Sequence, residues 1–138
     1  MGRFLIFLIS FLACHAYSCS CGRVLIDEHV NRADVIYIGF LASAKVVEMD
    51  DQDDMWYLEG TINVKDVIKG AVGKIDIVKT GKGYGDCGIP LTVGRWYIIF
   101  RNKDKEIYIG SCGESGTINT YMDEEYIEKL KSEVAKEP

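Results

Sequence analysis

Thiols and imidazoles are scarce in this chain. Among 138 residues there are five cysteines (Cys14, Cys19, Cys21, Cys87 and Cys112) and two histidines (His15 and His29). A Ser-His-Asp or Cys-His arrangement needs a histidine as general base. His29 would have to serve, yet it lies in a short helical stretch, and no serine or cysteine sits in a nucleophile-elbow pattern. A histidine-rich zinc site of the chain's own is excluded by number. The acidic run EMDDQDD, residues 48–54, lacks the central glycine and distal glutamate of a calcium loop. The Gly-rich run GKGYGDCG, residues 81–88, lacks the Gly-Lys-Ser/Thr ending of a phosphate loop, and no helical pattern follows it. Paired carboxylates single out nothing in an acidic chain. The residues point away from an enzyme and imply no cofactor of the chain's own.

The cysteines become informative once the N-terminus is read. Arg3 precedes an apolar run, FLIFLISFLA, from Phe4 to Ala13, with small residues at Ala16 and Ser18. The run is too short to span a bilayer and reads as a signal peptide over residues 1–18. Ala16 and Ser18 suit a cut before Cys19; Cys14 and Ala16 suit one before Tyr17. A bacterial lipoprotein with Cys14 lipidated is the third possibility, disfavoured by Phe11. Removing Cys14 leaves four cysteines, an even number that reads as two disulfides in an exported chain. A Cys19–Cys21 ring of one intervening residue would be strained. Long loops favour distant pairs, at about 4 kcal/mol or more each in loop-closure entropy. Cys19–Cys87 and Cys21–Cys112 are therefore expected, pinning the new N-terminus to two places on the body.

Without residues 1–18 the chain keeps 15 Lys+Arg against 21 Asp+Glu, a net charge of −6. There is no basic cluster to favour nucleic acid, heparin or an anionic membrane. A single domain over 19–138, soluble, monomeric and secreted or extracellular (periplasmic or cell-surface if bacterial), is expected.

The elements that must position these residues are mostly strands. Val24–Asn31 is compatible with a short helix. Ala33–Val47, Trp56–Lys69, Lys74–Thr80, Arg95–Arg101 and Glu106–Gly110 read as five strands, with Gly39 marking a bulge or bend. Thr120–Val134 reads as a helix, with Thr120 and Asp123 resembling a capping box and Tyr126, Ile127, Leu130 and Val134 forming one apolar stripe. The fold class expected is mainly β: a five-stranded, OB-fold-like Greek-key barrel with a short N-terminal helix and a C-terminal helix.

Six landmarks in order carry a resemblance: Cys19-Ser20-Cys21, Ala33-Asp34-Val35-Ile36-Tyr37-Ile38-Gly39, Val67-Ile68-Lys69-Gly70, Asp86-Cys87-Gly88, Gly94-Arg95-Trp96-Tyr97 and Gly110-Ser111-Cys112. Together they resemble the inhibitory N-terminal domain of the tissue inhibitors of metalloproteinases, members of the netrin-like domains. The resemblance implies an inhibitor of metzincin-type zinc metalloproteases. In that family the mature N-terminal cysteine, here Cys19, chelates the target's catalytic zinc through its α-amine and carbonyl oxygen and displaces the reactive water. The zinc belongs to the bound protease. Ser20 would enter the pocket beyond the cut, Cys21 and Gly22 would extend the tip, and Tyr84, Gly85, Asp86 and Cys87 would complete the contact ridge. Val30 stands where the family has a further half-cystine, and Gly22-Arg23-Val24 replaces its usual prolines. A netrin-like binding module capturing a secreted or matrix protein without inhibition is the alternative. A thiol–disulfide catalyst using Cys19 and Cys21 would need both thiols reduced.

Overall fold

The computed structural model describes residues 19–48, 56–83, 85–102, 108–119 and 123–136. The expected signal segment, Tyr84, the acidic turn 50–54 and Thr120 lie outside them. The elements run α1 (Ile26–Arg32), β1 (Val35–Glu48), β2 (Trp56–Lys69), β3 (Ile75–Thr80), β4 (Trp96–Arg101), β5 (Gly116–Ile118) and α2 (Glu124–Val134). The strands form one antiparallel sheet in the order β3-β2-β1-β4-β5.

Strand alternation sends side chains to two cores. Val35, Tyr37 and Leu41 of β1, Ile62 of β2, Val78 of β3 and Tyr97 and Ile99 of β4 pack on one face with Ile89 and Ile109. Ile36, Ile38, Ile98, Phe100 and Ile118 face the other way and are covered by Val30 of α1 and by Ile127 and Leu130 of α2. Strands β1 and β4 therefore bury both faces where they pair, which explains their near-continuous apolar sequences. The stripe read in the last helix is the stripe that packs: Tyr126 and Val134 border the same core.

Gly39 lies at a register shift between β1 and β2, as its sequence position suggests. A Cβ there would run into the Ile62 side chain and the Asn63 carbonyl, so only glycine permits the strands to approach at this bend. The first core also holds charge. Asp76 accepts a hydrogen bond from the Tyr37 hydroxyl at 2.8 Å and contacts from Arg101 at 2.7 and 2.8 Å. Burial first, then the Asp76 charge, pushes the Tyr37 phenol far above its ordinary range.

The fifth strand differs from the expected Glu106–Gly110, of which Glu106 and Ile107 lie outside the described residues. Among the described residues Tyr108 and Gly110 make only isolated bridges, and Gly116–Ile118 pairs with β4 instead. The segment before β5 crosses to the other edge of the sheet, where Tyr108 bridges Lys79 of β3 in parallel and the Ile109 N–H donates to the Lys79 carbonyl at 2.7 Å. The sheet is open, with β3 and β5 as its edges, and the bridge joins β3 to Tyr108 rather than to β5. Helix α2 begins at Glu124 with Asp123 as its N-cap, so the cap expected at Thr120 falls three residues later. The Asp123 carboxylate accepts the Asn119 N–H at 2.7 Å rather than an N–H of its own helix.

Candidate functional site

Cys19 and Cys21 stand ahead of the first helix and reach two different loops. Cys19 is bonded to Cys87 in the Gly-rich loop after β3, and Cys21 to Cys112 in the turn before β5, with Cα separations of 5.5 and 5.3 Å. Both expected pairings are thus present. Because the half-cystines on either side of Ser20 run to separate loops, the three-residue segment is held at both ends. Ser20, Cys21 and Gly22 are exposed, and nothing lies within 4 Å of a Cβ built on Gly22.

The loop that receives Cys19 is built from backbone geometry that most residues avoid. Gly83 and Gly85 have φ of 85° and 94°, and Cys87 itself has φ of 57°. Such a value is uncommon for a residue with a side chain. Gly81 and Gly88 meet so closely that a Cβ on Gly88 would strike the Gly81 backbone, while one on Gly81 would strike the Asp86 carboxylate. Beyond Cys87, Gly88 bridges Gly110, and the Ser111 N–H donates to the Cys87 carbonyl at 2.8 Å. The two cystine-bearing loops are therefore stitched to each other as well as to the tip.

Asp86 organises the turn. Its carboxylate accepts the backbone N–H groups of Lys82, Gly83 and Gly88 at 2.5, 2.8 and 3.1 Å. Partial desolvation pushes its acidity the wrong way, but the donors Gly83, Gly88 and Lys82 outweigh that and hold the carboxyl below its ordinary range. The Tyr108 hydroxyl reaches the Asp86 carbonyl at 3.4 Å. At the other end of the loop the Lys82 ammonium lies over the Trp56 ring at 2.9 Å, which ties the loop to the start of β2.

Together these groups surround an open depression of about 470 Å³ lined by Cys19, Cys21, Gly83, Gly85, Cys87, Gly88 and Ser111. Of the residues expected in the contact ridge, Cys19, Cys21, Gly85 and Cys87 line this depression, Asp86 is exposed between Gly85 and Cys87 without lining it, Ser20 and Gly22 extend the exposed tip, and Tyr84 lies outside the described residues. Gly83, Gly88 and Ser111 were missed as lining residues. Their signal was present in the glycine spacing and in the Gly110-Ser111-Cys112 landmark.

His29 takes no part in this site. It is buried in α1, edge-on to Phe100 at 6.4 Å, with Nε2 3.4 Å from a Glu114 oxygen. Ser115 lines the same 240 Å³ cavity as His29, but its hydroxyl accepts the Phe100 N–H at 2.9 Å and faces the Phe100 carbonyl at 3.3 Å. Among the described residues no three His, Cys, Asp or Glu side chains converge as a metal site, and no helix is long and apolar enough to cross a membrane.

Both thiols of the tip are in disulfides, and Cys19 lines the open depression beside the exposed Ser20. Neither a scan against protein-family models nor a search of curated proteins matches this chain.

Proposed function

We propose that this protein is a secreted inhibitor of zinc metalloproteases, acting through the α-amine and carbonyl oxygen of Cys19 once the chain is cut before that residue. The observation that supports this reading most is the pair of disulfides that carry Cys19 and Cys21 to different loops and leave a short, exposed, doubly anchored tip.

The chemistry follows from the donor pair. A catalytic zinc keeps a coordination position open for water. The amine and carbonyl of one residue close a five-membered chelate on such a metal and take that position. Anchoring the tip in advance lowers the ordering cost of docking. Ser20 would lead into the cleft next to the zinc, and the loop around Gly85 and Asp86 would flank it. An amine titrating near pH 8 is partly neutral at physiological pH, so metal competes readily with the proton.

The test compares the chain beginning at Cys19 with one carrying a single alanine ahead of it. The added residue converts the amine into an amide and should abolish inhibition of a metzincin-type catalytic domain while leaving the melting temperature unchanged. Equal inhibition by both chains would refute the mechanism. Because the protonated amine cannot bind zinc, inhibition should also weaken as pH falls from about 8, by about tenfold per unit well below it. A flat profile down to pH 5 would contradict it.

A further inference from the structure

We propose that Asp86 is a positioning residue for the Cys19 tip: its carboxylate gathers the backbone of Lys82, Gly83 and Gly88 around itself and so sets where Cys87, and through the disulfide Cys19, stands. This rests on the reading of Cys19 as the functional group, and it gives Asp86 a role different from touching the protease.

The carboxylate is spent inside the loop. Oδ1 accepts from Gly83 and Gly88, and Oδ2 from Lys82. The Gly88 N–H belongs to the peptide bond that follows Cys87, so the carboxylate grips the residue directly after the half-cystine. Cys87 holds a left-handed backbone, φ 57°, which a residue with a Cβ keeps only when its surroundings hold it there. Buried Gly81 leaves the room the carboxylate occupies, since a Cβ at that position would collide with it. Three convergent N–H groups form an anion nest, and Asp86 is the anion that fills it.

Removing the carboxylate leaves the nest empty while keeping the disulfide. The variants are Asp86→Ala and Asp86→Gly, tested with and without added formate, a carboxylate small enough to replace the missing group. Two readouts are taken: the amide signals of Lys82, Gly83 and Gly88 by nuclear magnetic resonance, and inhibition of a metzincin-type catalytic domain. Charge-assisted hydrogen bonds of this kind correspond to a loss of about tenfold to a hundredfold in inhibition. Formate should restore the amide signals and part of the inhibition in Asp86→Gly, and leave the unsubstituted protein unaffected. Amide signals unchanged by the substitution would overturn the proposal, as would inhibition by Asp86→Ala equal to that of the parent. If the parent itself inhibits no metalloprotease, the reading of Cys19 falls. The amide signals, their rescue by formate and a faster reduction of Cys19–Cys87 in the variant still decide the role of Asp86.

Discussion

The sheet with its helices and the tip with its two loops are held together by different forces. In the body, side chains do the holding. Ile36, Val35, Leu41, Ile62, Ile99 and Leu130 are wholly buried, and the buried charge of Asp76 is paired with Arg101 and Tyr37. In the tip, Ser20, Cys21, Gly22, Gly85 and Asp86 are exposed, and the hold comes from two disulfides, backbone N–H bonds and left-handed glycines. Burial stabilises in proportion to area, whereas the proposed site, which would present one amine and one carbonyl to a metal, would need fixed positions more than buried area. On that proposal stability and inhibition are separable: damage to one region should leave the other largely intact.

The largest effect is expected in the body. Arg101→Leu would leave the Asp76 carboxylate buried with, among the described residues, the Tyr37 hydroxyl as its remaining side-chain partner, costing about 3–5 kcal/mol in denaturant unfolding. Inhibition per folded molecule should stay near that of the parent. A loss of inhibition greater than the loss of folded protein would break the separation between the regions.

The converse experiment acts on the tip. Gly88→Ala drives a Cβ into the Gly81 backbone, so the turn must shift and carry Cys87 with it. Inhibition should fall about tenfold or more, since displacements of an ångström at a reacting site have effects of that order. The melting temperature should change less than for Arg101→Leu. An unchanged inhibition constant would mean that the position of this loop does not matter to docking.

The smallest effect tests a link between the two regions. Glu114, in the turn that follows Cys112, has φ of 59° and faces both helices: His29 of α1 at 3.4 Å and the Tyr126 hydroxyl of α2, which donates at 3.3 Å. Burial first, then the Glu114 charge and hydrogen bond, pushes the Tyr126 phenol up to about 12. The folded state thus prefers the neutral phenol. Its contribution is complete below about pH 10, the ordinary tyrosine value, and is lost as pH rises through about 12. Tyr126→Phe should cost about 1 kcal/mol or less at neutral pH. It should also flatten the fall in stability between pH 10 and 12, read by thermal unfolding across that range. An equally steep fall in the variant would assign that limb to other groups.

Much of the body was legible in the sequence because alternation and β-branched runs report burial directly. Four strands fall where the pattern places them to within two residues, and Gly39 marks a real register shift. Glu106–Gly110 misled because its alternating Ile-Tyr-Ile pattern reports burial, and Ile109 is indeed buried, but pattern does not report the partner. The strand that pairs with the outer side of β4, opposite β1, is Gly-Thr-Ile, too short and too mild in propensity to stand out. At the tip, loop-closure entropy argues against Cys19–Cys21 but weighs the two long-range pairings almost equally. What separates them is where the chain places Cys87 and Cys112, beside the bridge between Gly88 and Gly110. Asp86 was legible as a neighbour of Cys87 but not as an acceptor of three N–H groups, since that arrangement exists only once the glycines have turned the chain.

The central claim is that the main chain of Cys19 reaches the target's metal, and a cobalt-substituted metzincin catalytic domain tests it most directly. Its visible absorption bands report the ligands on the metal. Adding the chain that begins at Cys19 should change those bands, with the change saturating at one equivalent, while the same chain acetylated at its N-terminus should leave them untouched. Identical spectra with both chains, or inhibition without any spectral change, would contradict the account.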